Sequence, residues 1–172
     1  MLLQWDLSDK SLHEKYVALA DDEFEENFKR VVLNIHAFKK IKVLTISGPS
    51  SAGKTTTAMK LASDLKLYGV TAKIISMDDF YRNTDNAPRK PDGSPDYETL
   101  DALDTDLLID CLKGVAHGNT VNIPRFNFKT GKREDQMREL SLAENEIVIM
   151  EGIHGLNPRV LMIAAFCSSV YE

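Results

Sequence analysis

Apolar residues Phe24, Phe28, Val31, Val32 and Ile35 recur at spacings of three and four in a stretch rich in Glu, Asp and Lys, predicting at least one helix before residue 39. Ile41 to Ser47, IKVLTIS, is a compact β-rich run that enters Gly48-Pro49-Ser50-Ser51-Ala52-Gly53, so a strand should lead into a tight loop. Helical spacing returns at Ala58, Leu61, Ala62, Leu65 and Tyr68, predicting a helix from Lys54 to Tyr68 with Gly69 as its stop. AKIISM at 72–77 reads as a second buried strand. Periodicity then vanishes from Asp78 to Leu103, where three prolines and two adjacent carboxylates predict a long functional loop rather than packed structure. Leu107, Leu108, Cys111 and Leu112 predict a short helix over Asp104–Val115. VNIPRFNF at 121–128 looks extended, Lys129 to Arg133 forms a basic turn around Gly131, and Ile147 to Met150 is a third buried strand delivering Glu151 and Gly152. Strands alternating with helices imply an α/β fold, a mostly parallel sheet between helical layers, which binds ligands at the carboxyl ends of its strands.

Composition narrows the field without changing that outline. The 172 residues suit one domain with a substantial core. With 21 Lys plus Arg against 26 Asp plus Glu the net charge is −5, which disfavours nucleic-acid binding through phosphates. The longest apolar run, Val160 to Cys167, is far short of a bilayer span, and the N-terminus lacks a signal-peptide pattern, so no membrane association is expected. Cys111 and Cys167 have no metal-ligand spacing, and a reducing cytoplasm is the default.

The decisive chemistry is GxxxxGKT, complete at Gly48 to Thr55 between a predicted strand and a predicted helix. Glycines let successive N–H groups turn toward phosphate oxygens, and the helix N-terminus adds partial positive charge. Gly48, Ser50, Ser51, Ala52, Gly53, Lys54, Thr55 and Thr56 are the candidate binding residues for a nucleoside triphosphate. Lys54 reaches the β- and γ-phosphates, and the Thr55 hydroxyl ligates Mg²⁺. A Gly/Ser connection with an accidental Lys is the bland alternative, expected by chance in about one such chain in a hundred. The fold is therefore expected to be a P-loop NTPase of three α/β/α layers.

Two other strand ends supply acids. Asp78 and Asp79 follow AKIISM, and Glu151 follows IVIM, so in a parallel sheet both sites lie near the phosphate loop. One acid can hold metal while another takes a hydroxyl proton. For Asp79, capping or solvating a loop is as good an account as a role in the site.

The motifs GPSSAGKTT, SMDDFYR, DYETLDALD, IPRFNFKTGKR and IMEGIHGLNP, in that order, resemble the uridine kinase and phosphoribulokinase family over about residues 40 to 158. LHEK at 12–15 is also similar, as in the uridine kinase-like branch whose larger members carry a threonyl-tRNA synthetase-like N-terminal region. The resemblance implies that Lys54 and Thr55 serve the phosphates and metal, and that Asp78 accepts the sugar hydroxyl proton near the metal. It further implies that Glu151 completes the Mg²⁺ shell, and that Tyr81 and Glu98 line the acceptor pocket, Glu98 standing where uridine kinases usually have Asp. Phe126 and Gly131 stand where uridine kinases have the tyrosine and histidine that read the pyrimidine, so a pyrimidine acceptor is not implied. Arg125, Lys129, Lys132 and Arg133 could contact an anionic acceptor, although a basic turn is more often solvated.

The resemblance implies a further core strand and an arginine-bearing lid, whereas this sequence stops at Glu172 with no arginine after Arg159, so the C-terminal part of the fold is expected to be incomplete. The organisation it implies is a helical extension over 1–39, a P-loop kinase core over 40–158 and a divergent or truncated C-terminal tail over 159–172. Nucleotide binding with weak or no turnover is the resulting expectation. The leading reading is an ATP- and Mg²⁺-dependent kinase acting on a hydroxyl of a small, ribose-bearing acceptor. Its rivals are a kinase for a sugar phosphate or pantothenate-like alcohol, and a nucleotide-binding module without catalysis. A GTPase is disfavoured because no NKxD-type segment is present. His154 could sit near the site, though a hydrogen-bonded loop histidine is the simpler account. Trp5 reads as packing surface, and the apolar tail as either a core helix or an exposed, self-associating surface that could support a homo-oligomer.

Overall fold

A computed structural model describes residues 10–38 and 40–169; Trp5 and the last three residues of the tail lie outside the described residues. The chain divides into two compact units, one holding α1 and the other running from Phe38 onward. The first unit is a helix, α1 (Lys10–Ala37), with the rings of Phe24 and Phe28 5.5 Å apart on successive turns.

The second unit is built on a parallel sheet of β1 (Val43–Ser47), β2 (Thr71–Ser76) and β7 (Glu146–Gly152), with β7 between the other two. Their order of appearance explains the sequence pattern: β7 is buried at every position after Glu146 because it has a neighbour on each side and helices above and below. Val148 and Met150 enter the main core with Leu108, Leu112 and Val115 of α3 (Thr105–Ala116) and Val160 and Cys167 of α4 (Pro158–Ser169). Ile147 and Ile149 project to the opposite face. There α2 (Lys54–Lys66) packs on β2, burying Ala58, Leu61 and Leu65. The result is the three-layer α/β/α arrangement of P-loop NTPases. No helix of the described residues is long and apolar enough to cross a membrane.

Several boundaries differ from expectation. α2 stops at Lys66 and leaves Tyr68 exposed, because Gly69 in the left-handed region (φ 77°) ends the turn before Tyr68 joins the apolar face. β7 runs on through Glu151 and Gly152, because Ser47 and Ser76 of the flanking strands still pair with it. The extended segment 121–128 is two short strands with different partners. β3 (Val121–Ile123) pairs with β6 (Arg138–Leu140), and β4 (Phe126–Asn127) with β5 (Lys132–Arg133). The apolar tail is helical, its Val160, Ala164 and Cys167 stripe in the core and Leu161 and Met162 exposed.

The largest correction concerns residues 78–103. They do not form an unpacked loop: three 3-10 turns, Met77–Phe80, Thr84–Asn86 and Leu100–Ala102, bury Phe80, Tyr81, Ala87, Ala102 and Leu103. The apolar residues were there but at spacings set by short turns, which neither a helical nor a strand period detects.

Candidate active site

The phosphate loop owes its shape to two left-handed residues, Ser51 (φ 61°) and Gly53 (φ 76°). Gly53 precedes α2 and no side chain caps that helix, so the N–H groups of Lys54, Thr55 and Thr56 have no partner from within it. The first bond into the helix is from the Thr57 N–H to the Gly53 carbonyl, 2.9 Å. Ser50, Ser51, Ala52, Gly53, Thr55 and Thr56 are exposed, and Lys54 folds back so that Nζ donates to the Pro49 carbonyl at 2.8 Å. These amides, one ammonium and a helix end are a ready anion site. A Cβ on Gly48 would meet only ordinary 3.6 Å contacts with Ala52 and Lys54, so the loop's own packing does not demand glycine there.

Sheet register sets the acids beside this loop. Ile46 on β1 and Ser76 on β2 both pair with Glu151, which is buried in the central strand. Ser76 Oγ accepts from the Asp78 N–H at 3.3 Å and starts the turn that carries Asp78. Burial raises the Asp78 carboxyl above the ordinary range and the Glu151 charge raises it further, while a hydrogen bond from Tyr81 and the Lys54 ammonium oppose the shift. Loop lysine and both acids thus act on one another. Asp79 turns away: its Oδ2 meets Arg138 Nη2 of β6 at 2.6 Å, and burial raises its pKa against that arginine's pull. Asp79 is a structural tie to the neighbouring hairpin.

Tyr81, Tyr97, Phe126 and Phe128 form an aromatic cluster beyond Asp78. Centroids lie 4.8 Å apart for Tyr81 and Tyr97, 5.7 Å for Tyr81 and Phe126, and 5.1 Å for Phe126 and Phe128, mostly edge to face. Tyr81 and Phe126 are buried and Phe128 is 62% exposed. The Tyr81 hydroxyl donates to the Tyr97 carbonyl at 2.9 Å, and burial together with the Asp78 charge pushes its pKa far up, so it stays protonated. Glu98 is not gathered into this cluster; its side chain is 80% exposed and faces Lys90 at 3.6 Å.

Arg133 is the residue that the sequence hid. Nε donates to the Tyr81 carbonyl (2.9 Å), Nη2 to the Phe80 carbonyl (2.9 Å) and Nη1 to Asp104 Oδ2 (3.1 Å), and its own N–H meets Asn83 Oδ1 (2.8 Å). A residue of an apparent solvated turn therefore fixes the end of the segment that carries Asp78. Nearby Gly131 has φ 66°, and a Cβ there would collide with Thr84 Oγ1. In the sequence only the basic turn around Gly131 points to a chain reversal here. His154 departs from the simple account of a satisfied loop histidine, because its Nε2 is buried without a hydrogen-bond partner.

Hard oxygen donors at Thr55, Asp78 and Glu151 fit Mg²⁺, which uses one or two carboxylates plus substrate phosphates rather than an all-protein cage. The mutual charge repulsion of Asp78 and Glu151 is what a divalent cation would relieve. No cluster of three or more His, Cys, Asp or Glu side chains suited to a metal occurs among the described residues.

A family model described as Phosphoribulokinase / Uridine kinase family matches residues 43–166. The chain belongs to this family. A uridine kinase of Macrococcus caseolyticus is 29% identical over 117 residues, 68% of this chain and 55% of that protein. A uridine kinase of Schizosaccharomyces pombe is 33% identical over 121 residues, 69% of this chain and 26% of that one. The chain thus spans about half, or less, of the length of these relatives. A solved structure described as a possible uridine kinase from Bacillus stearothermophilus superimposes with a TM-score of 0.63 at 21% identity, covering 82% of this chain and 77% of that one, a likeness of fold.

Proposed function

We propose that this family member is an ATP-dependent kinase that transfers the γ-phosphoryl group to a hydroxyl of a small, ribose-bearing acceptor. The observation that carries the reading is the convergence of three charges: Lys54 from the phosphate loop and Glu151 on β7 both act electrostatically on Asp78, which follows β2. An anion-binding loop opposite a carboxylate of raised pKa is the minimum that phosphoryl transfer needs, because positioning and charge neutralisation supply most of the rate.

In this mechanism the uncapped amides of Lys54, Thr55 and Thr56 hold the β- and γ-phosphates, and the Lys54 side chain leaves the Pro49 carbonyl to neutralise their charge. Asp78 accepts the proton of the acceptor hydroxyl as its oxygen forms a bond to phosphorus and the bond to the ADP oxygen breaks. Glu151, Asp78 and Thr55 would hold Mg²⁺, which would supply positive charge to offset that of the donor phosphates. Tyr81, Tyr97 and Phe126 wall the acceptor side, and Glu98 is the exposed carboxylate that would bind acceptor hydroxyls. Phe126 lacks the hydroxyl of a tyrosine and Gly131 has no side chain, so selection by the base edge is weak on this wall.

The test is ADP release over a panel of uridine, cytidine, adenosine, ribose 5-phosphate and pantothenate, alongside calorimetry with ATP and Mg²⁺. Release of ADP with a nucleoside, abolished in Lys54→Met and Asp78→Asn, is the expected result. Tight ATP binding with no release across the panel would select the non-catalytic module instead.

A further inference from the structure

An open pocket of about 130 Å³ is lined by Arg82, Asn83, Asn86, Asp104 and Arg133. At about 30 Å³ per water it has room for a few waters or one small ion, and it is well below the size of sites that enclose a whole nucleoside. Asp78, Tyr81, Tyr97, Phe126 and Phe128 do not line it. Tyr81 and Arg82 follow one another in extended chain, Tyr81 bridged to Leu103 and the Arg82 N–H donating to the Ala102 carbonyl at 2.8 Å. Their side chains therefore leave on opposite sides, and the pocket lies behind the aromatic wall.

Its lining has more donors than the protein uses. The Arg82 guanidinium makes no hydrogen bond among the described residues; Asp104 Oδ1 is 3.7 Å from its Nη2, beyond hydrogen-bond reach. Arg133 spends its Nε–H and one N–H of each terminal nitrogen on Tyr81, Phe80 and Asp104, which leaves a second N–H on each terminal nitrogen. Asn83 Oδ1 is engaged by the Arg133 N–H at 2.8 Å, so the part of that side chain still to be satisfied is its NH₂. The exposed Asn86 side chain has no partner among the described residues. Acceptors, by contrast, are already taken: Asp104 Oδ2 serves Arg133 and Oδ1 caps α3 through the Leu107 N–H. Two guanidiniums against one carboxylate leave the lining one positive charge in excess, and donors come from four side chains. A cation finds no vacant acceptor charge here, and a carboxylate has two oxygens for those four sources. A tetrahedral phosphate matches them better.

We propose that this pocket binds a phosphate-type oxyanion, either free phosphate or the phosphate end of a small metabolite, apart from the reacting groups. The bound anion joins Arg82 to Arg133, whose guanidinium already holds the Phe80 and Tyr81 carbonyls, and so braces the wall from behind.

Calorimetry and thermal melting on the full chain test the assignment, with the phosphate loop filled by Mg²⁺ and a non-hydrolysable ATP analogue. Inorganic phosphate, glycerol 3-phosphate and acetate are compared on wild type, Arg82→Gln and Asn86→Asp; Arg133 is left in place because its bonds hold the wall. Wild type should bind a phosphate-bearing anion beyond the filled loop and melt at a higher temperature as it is added. Each variant should weaken that binding about tenfold or more, while affinity for the analogue and the melting temperature without phosphate hold. Tighter binding of inorganic phosphate would support the free ion as occupant, and tighter binding of glycerol 3-phosphate the metabolite end. No phosphate binding beyond the filled loop, acetate bound as tightly as phosphate, or unchanged phosphate affinity in either variant would overturn the assignment and leave the kinase reading intact. A wild-type chain that fails to take the analogue would count against the kinase reading, and the loss or retention of phosphate binding in the variants would still decide the pocket.

Discussion

Residues 48–55 and the wall formed by residues 77–103 and 124–133 meet at Asp78 but are held by different forces. The phosphate loop is contiguous in sequence, exposed, and shaped by its own backbone, with two left-handed residues and a helix start. The wall is assembled from segments some fifty residues apart through the Arg133 bonds to Phe80, Tyr81 and Asp104 and through the buried aromatic rings. The first can keep its ligand chemistry while its side chains vary; the second depends on packing, so its specificity can drift with single substitutions. A donor common to all members and an acceptor that differs between them would follow from that contrast.

The most direct way to break the comparison is Lys54→Met. Among the described residues the Lys54 ammonium has one bond, to a backbone carbonyl at an exposed site, so its loss should leave the melting temperature within a few degrees. Turnover should fall by about 10²–10³ or more, as when a preorganised charge donor is removed. Equal losses in stability and turnover would show that the loop, like the wall, is held by side-chain contacts.

Asp78→Asn stands where the two regions join, and about 10²–10⁴ of the rate is at stake if Asp78 is the base. Its raised pKa has a sign that can be checked. The base works only when ionised, so activity is lost as pH falls through a value above the ordinary aspartate range. For stability, a carboxyl raised in the folded state favours folding most when protonated, below its unfolded pKa, and that contribution is lost as pH rises through the folded pKa. Measured without metal, Asp78→Asn should therefore melt at or above the wild-type temperature at pH 7, with the difference vanishing in acid. A clear drop in melting temperature at pH 7 would show that Asp78 is a structural acid.

Gly131→Ala probes the wall alone. A Cβ at φ 66° is strained, and Thr84 Oγ1, which bonds to the Gly131 carbonyl at 2.9 Å, would have to move. A loss of about 1–3 kcal/mol in stability, with weakened acceptor affinity and unchanged ATP affinity, is expected. An equal loss of ATP affinity would mean that the wall and the loop are one cooperative structure.

The same contrast explains what could be read in advance. The strand, loop and helix around Gly48 to Thr55 are legible because each signal is local: a β-rich run, a glycine pair, a helical period. Asp78 and Glu151 are legible as strand-end acids because a parallel sheet brings its carboxyl ends together. Arg133 was not, since nothing within five residues of it names Phe80 or Tyr81 as partners. Phe80, Tyr81 and Leu103 read as loop in the sequence because burial by 3-10 turns follows no fixed period, and the sequence leaves Asp79 evenly divided between capping a loop and a role in the site because its Arg138 partner lies 59 residues away. The missing partner of His154 Nε2 has no signature in the sequence, because only a three-dimensional count of hydrogen bonds shows it.

The finest test removes one oxygen. Tyr81→Phe keeps the ring in its contacts with Tyr97 and Phe126 and deletes the hydroxyl that donates to the Tyr97 carbonyl. Leaving that carbonyl short of a donor should cost about 1 kcal/mol of stability. The same hydroxyl shares its proton with the Asp78 carboxylate and holds that pKa down against burial and Glu151. Without it the Asp78 pKa rises further, so the acid limb of kcat/KM against pH should move to higher pH, while activity on the alkaline side stays near wild type. A limb that stays put, or moves the other way, would show that Tyr81 serves the wall and has no hold on the base. In that case the two regions are independent at the one point where their chemistry meets.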